Sequence, residues 1–190
     1  MMVYRIMRDE GLLSFKSKKY VRRKWIRYER EYSNSLWHTD WYQLKNPCYK
    51  GRWLIVYEDD ASSFTAGYGI FDSPSSRDAV KVLDEAIRNR GKPRSILTDR
   101  GSSFYAVDSE SREKGLTELE LYLMRNHIRH IVARVAHPQT NGKLEKLIHT
   151  IERGLEKGFL PIHRCVDWYN NVKPHEALNV KRAEPPAGSV

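Results

Sequence analysis

The sequence predicts an α/β fold, because strand periodicity in its first half gives way to alternating helices and strands. Three runs rich in aromatic and β-branched residues, at 36–44, 52–58 and 64–71, are separated by turn residues. Such runs are typical of an antiparallel three-strand meander. A chain of 190 residues with 40% hydrophobic content can bury one sizeable core. We therefore expect one main domain.

The second half of the chain supplies the helices. An apolar stripe at helical spacing runs from Ser76 to Arg90, and Gly91 behind it is a good stop signal. Similar patterns predict strands over 94–98 and 128–133 and helices over 116–126, 141–157 and 162–170. The predicted order is three strands, then helix, strand, helix, strand, helix and helix.

Positive charge is concentrated at the N-terminus. Residues 1–30 hold ten basic and three acidic side chains, which accounts for +7 of the formal net charge of +9. A basic arm on a nearly neutral body is the expected footprint of phosphate contacts, although a solvated leader that aids solubility is the alternative. The candidate DNA-binding residues of this arm are Lys18, Lys19, Arg22, Arg23 and Lys24.

Other features of the composition narrow the class of protein. No run of 18 or more apolar residues occurs, and the N-terminus lacks the layout of a signal peptide. We therefore expect a soluble, cytoplasmic protein with no membrane partner. Cys48 and Cys165 stand far apart without further cysteines or metal-type histidine spacing, which argues against a disulfide framework and a zinc finger.

Three acidic residues occupy positions from which their carboxylates could converge. Asp40 lies within the first predicted strand, Asp99 ends the fourth, and Glu145 lies one turn into a helix. Cleavage or transfer of a phosphodiester can be carried out by two Mg²⁺ ions that carboxylates hold about 3.5–4 Å apart. Each acid also has an ordinary interpretation, since residues 99–101 could form a simple turn and Glu145 could be a solvated helix residue.

The strings around these acids resemble the catalytic core of the DDE transposase and retroviral integrase family. In family order, they are Trp37-His38-Thr39-Asp40, Arg52-Trp53, Asp59-Asp60-Ala61-Ser62, Thr98-Asp99-Arg100-Gly101, His137-Pro138-Gln139-Thr140-Asn141-Gly142-Lys143-Leu144-Glu145 and Tyr169-Asn170-Asn171. The resemblance covers about residues 35–180. It implies an RNase H-like fold, in which helices flank a mixed five-stranded sheet, preceded here by a short basic N-terminal helix and linker.

The resemblance also implies a reaction and its catalytic residues. Asp40, Asp99 and Glu145 correspond to a metal-binding catalytic triad for two Mg²⁺ (or Mn²⁺) ions, with Asp40 shared between the ions. Such an enzyme cleaves transposon DNA ends and joins them to target DNA, and it works as a homo-oligomer on DNA close to the prokaryotic nucleoid. Glu152 is about 10 Å from Glu145 along the helix axis, too far to serve the same ions.

DNA contacts near the reacting end are implied as well. The residues concerned are Gln139, Asn141, Lys143 and Lys146, although the two lysines could equally be helix-surface residues. His38 and His137 are expected to be structural or close to DNA rather than general bases. Asp59 and Asp60 are expected to form a turn after the second strand.

The predicted organisation has three parts. Residues 1–34 form a basic segment whose helix at 3–13 resembles the last helix of a helix-turn-helix region, residues 35–180 form the catalytic core, and residues 181–190 form a tail. Because the earlier helices of such a region are absent, we expect this chain alone to transpose an element inefficiently. The interval of 45 residues between Asp99 and Glu145 is longer than in the retroviral pattern, and a surface insertion at 107–115 accounts for the excess.

Two alternatives share the same sequence features. An RNase H-like nuclease would use the same carboxylates but would not explain the string from His137 to Lys146. An inactive, truncated remnant that only binds DNA is the alternative from a different functional class. Retention of all three acids favours the enzyme, and the short N-terminus favours the remnant.

Overall fold

The computed structural model describes residues 5–6, 9–10, 30–106, 115–133, 142–158 and 161–173. Its strands are β1 (Trp37–Gln43), β2 (Trp53–Asp59), β3 (Thr65–Phe71), β4 (Ser95–Thr98) and β5 (Arg129–Val132). Its helices are α1 (Ser76–Arg90), α2 (Glu118–Arg125), α3 (Gly142–Glu156) and α4 (Ile162–Asn171). A 3-10 turn over Pro47–Tyr49, which the sequence patterns did not predict, joins β1 to β2.

The five strands form one mixed sheet in the order β3-β2-β1-β4-β5. β1, β2 and β3 pair in antiparallel fashion, as the meander predicted. β4 pairs parallel to β1, and β5 pairs parallel to β4. β1 is therefore the central strand, with β2 and β3 on one side and β4 and β5 on the other.

Alternation along the strands divides the core into two layers. Trp37 of β1 and Ile55 of β2 belong to a cluster shared with α1 and α2. Leu54 and Val56 of β2 belong to a second cluster, which α3 and α4 cover. Because side chains alternate along a strand, the residues of β1 at even positions, among them Asp40, face the layer of α3 and α4.

Local signals explain where two helices begin and end. The Ser75 side chain accepts a hydrogen bond from the Asp78 N–H and caps α1, which ends at Gly91 with a φ of 87°. Thr117 and Glu120 form a reciprocal capping box at the start of α2. α1 can approach β3 closely because Gly67 carries no side chain: a Cβ there would lie 2.7 Å from the Ala86 Cβ.

The fold prediction is confirmed, and the elements begin and end within two residues of their predicted limits. Of the predicted N-terminal helix, Arg5, Ile6 and Asp9 are helical, and the rest lies outside the described residues. The predicted insertion at 107–115 also lies outside them, except for Gly115. Within the described ranges, no helix is long and apolar enough to cross a membrane.

Candidate active site

Asp40, in the middle of β1, lies beside Asp99, at the end of the adjacent parallel strand β4. In the register of β1 and β4, Trp37 is opposite Ile96 and His38 is opposite Leu97. Two further residues along each strand bring the chain to Asp40 and to Asp99, which directly follows β4. Ligand sites of α/β sheets form at this carboxyl edge.

Asp99 and Glu145 both act electrostatically on Asp40. Burial, and next the nearby charge of Asp99, raise the pKa of Asp40 to about 6, and Glu145 adds to the effect. The Trp41 N–H donates to Asp40 Oδ1 at 2.8 Å and partly opposes the rise. Negative charge is therefore concentrated where α3 packs against β1.

A cavity of about 450 Å³ opens beside the two aspartates. Asp40 and Asp99 lie on its wall, and the other lining residues are aromatic, small or hydroxyl-bearing: Trp41, Trp53, Pro74, Ser75, Ser76, Gly101, Ser102, Ser103 and Phe104. Glu145 lies outside this lining and is exposed on the first turn of α3. The cavity thus offers an entrance to Asp40 and Asp99 from solvent.

The chemistry of these donors suits a hard divalent cation. Carboxylate oxygens are the ligands that Mg²⁺ and Mn²⁺ prefer, and a cation would relieve the repulsion between Asp40 and Asp99. In the described part of the chain, no three His, Cys, Asp or Glu side chains lie close enough together to hold an ion among them. Asp40 and Asp99 therefore fit such a cation as they stand, and Glu145 adds negative charge near Asp40.

A buried ionic cluster lies at the end of β2, next to the candidate site. Asp60 Oδ1 is 3.1 Å from His38 Nε2 and 3.2 Å from Lys143 Nζ. Asp60 Oδ2 accepts a hydrogen bond of 2.7 Å from the Arg30 N–H. Burial alone would raise the pKa of Asp60, but His38, Lys143 and the Arg30 N–H together lower it to about 2. Asp60 is therefore an ionised link between the linker, β1 and α3.

Glu58, two residues earlier, joins β2 to α4. The Tyr169 hydroxyl donates to Glu58 Oε1 at 3.0 Å. Burial raises the pKa of Glu58 to about 8, although the Tyr169 hydrogen bond and the Lys143 charge oppose the rise. Burial therefore favours the neutral form of Glu58, whose burial costs less than that of a carboxylate.

The remaining candidates fall into three groups. Gln139, Asn141, Lys18, Lys19, Arg22, Arg23, Lys24 and His137 lie outside the described residues. Lys146 is exposed on α3, as either a DNA-contacting residue or an ordinary helix-surface residue would be. Lys143 is paired with Asp60, a contact that the sequence patterns did not reveal.

Glu152, Asp59 and His38 each have structural contacts, and Asp59 is the last residue of β2 rather than part of the turn that follows it. Glu152 accepts a hydrogen bond from the Lys45 N–H at 2.9 Å, away from Asp40. Asp59 holds the turn after β2 through the N–H and hydroxyl of Ser62. His38 is buried against Asp60 and is structural.

The sequence and fold together define the family. Residues 30–138 match the model of the integrase core domain. The match covers more than half of the chain, so the chain belongs to the integrase core domain family.

Two relatives illustrate how the sequence compares with those of other proteins. The Gag-Pol polyprotein of woolly monkey sarcoma virus is 26% identical over 121 residues, which are 64% of this chain and 7% of that protein. A protein of unassigned function from Archaeoglobus fulgidus is 34% identical over 103 residues, 54% of this chain and 77% of that one. This chain thus spans only a small part of Gag-Pol.

The catalytic core of HTLV-2 integrase, solved in complex with magnesium in a trimeric form, has a similar fold. It aligns with a TM-score of 0.62 at 21% identity, over 82% of this chain and 95% of that chain. The similarity shows that this chain has the RNase H-like fold.

Proposed function

We propose that this chain is the catalytic core of a DDE-type transposase or integrase, which cleaves DNA ends and joins them to target DNA with the help of two Mg²⁺ or Mn²⁺ ions. One observation supports this most directly: Asp40 and Asp99 share a solvent-accessible cavity and Glu145 acts electrostatically on Asp40. The core of HTLV-2 integrase, which has the same fold, is described with magnesium.

Each acid has a role in this proposal. Asp40 would hold both ions, and Asp99 and Glu145 would each complete one of the two sites. Bound there, divalent ions would supply the positive charge that activates an oxygen nucleophile and stabilises the departing oxygen. In the first step, water breaks a phosphodiester bond and leaves a 3′-hydroxyl. In the second, that hydroxyl attacks a target phosphodiester, so one bond forms as another breaks without a covalent enzyme intermediate.

The proposal extends to partners and location. The basic arm and the face around Lys146 contact the phosphates of the ends and of the target. The chain acts as a homo-oligomer on DNA, and the trimeric form of the HTLV-2 core supports oligomerisation. It works in the cytoplasm of a prokaryotic cell, where its DNA substrates lie.

A strand-transfer assay tests the function. The protein is incubated with a labelled duplex that carries a pre-cut 3′ end, a supercoiled target plasmid and MgCl₂ or MnCl₂. We expect joined products with either metal and none with EDTA. Because loss of one electrostatic stabiliser of a transition state costs about 100–1000-fold, Asp40→Asn, Asp99→Asn and Glu145→Gln should each reduce joining by at least that much while the protein stays folded.

Other outcomes favour the alternatives. Cleavage of RNA–DNA hybrids without any joining would favour an RNase H-like nuclease. DNA binding without metal-dependent chemistry would favour the inactive remnant. Asp72→Asn is the matched control, because the Asp72 side chain is 87% exposed and pairs with Arg52 on the surface.

A further inference from the structure

We propose that Lys143 is a positioning residue, whose ion pair with Asp60 fixes the first turn of α3 and thereby holds Glu145 in place relative to Asp40 and Asp99. The inference rests on the proposed function and concerns how the third acid is brought to the other two. The sequence patterns suggested DNA contact or simple exposure for Lys143. Its contacts in the fold indicate a different role.

Lys143 is held by the end of β2 through two groups. Its ammonium lies 3.2 Å from Asp60 Oδ1 and also donates to the Asp60 backbone carbonyl. The Asp60 side chain is 4% exposed and that of Lys143 is 24% exposed. An ion pair shielded from water in this way is screened much less than a surface pair.

The position of Lys143 on α3 connects it to Glu145. Residues adjacent on a helix point about 100° apart, so Lys143 and Glu145 lie on the two sides of Leu144, and Glu145 is exposed yet close enough to Asp40 to raise its pKa. Leu144, between them, is buried in the core cluster of α3 and α4. Apolar packing is non-directional, whereas the ion pair fixes both the direction and the distance of this turn from β2.

Asp60 is itself a fixed anchor. His38, two residues before Asp40 on β1, contacts Asp60 Oδ1, and the Arg30 N–H donates to Oδ2. The chain of contacts therefore runs from the strand that carries Asp40, through Asp60 and Lys143, to the helix that carries Glu145. Displacement of that turn would move Glu145 away from the two aspartates.

Metal binding and catalysis together test this role. Mn²⁺ is titrated into the wild-type protein and into the Lys143→Met, Lys143→Arg and Glu145→Gln variants by calorimetry, and strand transfer is measured in parallel. Loss of a residue that orients a metal ligand typically weakens metal affinity or activity by about 10–100-fold. We expect both Lys143→Met and Glu145→Gln to weaken the affinity for one Mn²⁺ ion to that extent. Lys143→Arg should retain most of the wild-type affinity.

Kinetics separate positioning from phosphate binding. Removal of a positioning residue lowers kcat and leaves the Kd for DNA unchanged, whereas removal of a phosphate-binding residue raises that Kd and reduces its log–log salt slope by about 0.9. Lys157→Met is the matched control, since it removes one exposed positive charge just beyond the far end of the same helix and should change neither kcat nor Mn²⁺ affinity.

Two further variants test whether a loss in Lys143→Met comes from the broken ion pair rather than from misfolding. Asp60→Asn should reproduce the loss in Mn²⁺ affinity, and the double variant with Lys143→Met should lose no more than Lys143→Met alone. If the wild type is active and the folded Lys143→Met variant keeps the same Mn²⁺ affinity and kcat, the positioning role of Lys143 is wrong. The proposed function would still stand in that case. A wild type that binds no Mn²⁺ and joins no DNA would overturn the proposed function and the inference with it.

Discussion

Asp40, in the middle of β1, and Asp99, just after the neighbouring parallel strand β4, face one cavity and lie close enough for the charge of Asp99 to raise the pKa of Asp40. Two carboxylates in this arrangement repel each other at neutral pH, so the site destabilises the fold that carries it. Conflict of this kind between stability and local charge is common at functional sites. It makes the site testable by stability measurements alone.

Asp40→Asn should stabilise the metal-free protein. The substitution removes one of the repelling charges while the side-chain oxygen can still accept from the Trp41 N–H. Relief of about 1 kcal/mol would raise the Tm by about 2–4 °C in a chain of this size. Calorimetric Tm values in EDTA measure the change, and excess MgCl₂ should stabilise the wild type more than the variant. A lower Tm for Asp40→Asn in EDTA would show that repulsion is not the dominant effect.

Glu58 should make stability fall as the pH rises. The pKa of Glu58 is about 8 in the folded protein, whereas its ordinary value is 4.5. Between about pH 4.5 and pH 8, the folded state therefore keeps a proton that the unfolded state has already released. Stability from this group is fully present below pH 4.5, declines by up to about 1.4 kcal/mol per pH unit towards pH 8, and is lost above it.

Glu58→Gln isolates that effect. Glutamine retains the shape and can accept from the Tyr169 hydroxyl, but it does not ionise. Urea unfolding at pH 6 and pH 8.5 should therefore show a smaller decline for the variant than for the wild type. Equal declines in the two proteins would assign the pH dependence to other groups.

Local periodicity explains why the elements were predictable from sequence. The stripe of α1 and the alternation of β1 each depend on residues a few positions apart, and both elements match their predicted ranges closely. The positions of Asp40, Asp99 and Glu145 on their elements were predictable for the same reason. The family resemblance supplied the sheet type, and the structure supplied the adjacency of β1 and β4.

The ionic cluster was not predictable in this way. Lys143 and Asp60 are 83 positions apart, and no local pattern relates a helix lysine to a turn aspartate. Asp60 did form the expected turn, but turn propensity gives no sign that its carboxylate is buried and paired. Such contacts depend on how α3 packs against the sheet, which becomes visible only in the fold.

Gly67→Val should destabilise the layer between β3 and α1. Valine favours strands in general, but a Cβ at this position would lie 2.7 Å from the Ala86 Cβ and 3.3 Å from the Val82 carbonyl oxygen. Overpacking of this kind typically costs about 1–3 kcal/mol. Urea unfolding measures the loss, and adding Ala86→Gly should recover part of it by removing the closest contact. An additive loss in the double variant would contradict the steric explanation.

The basic arm should supply a large part of the affinity for duplex DNA, because residues 1–30 carry +7 of the net charge of +9. Replacing Lys18, Lys19, Arg22, Arg23 and Lys24 by Gln should weaken binding and reduce the slope of log K against log salt by about 0.9 for each phosphate that the arm no longer neutralises. Fluorescence anisotropy with a labelled duplex across a salt series measures both quantities. Arg77→Gln and Lys81→Gln on exposed positions of α1 remove charge from the body instead, and they should leave the slope nearly unchanged. If the five substitutions in the arm leave the slope as it was, the arm does not contact DNA and its charge serves only solubility.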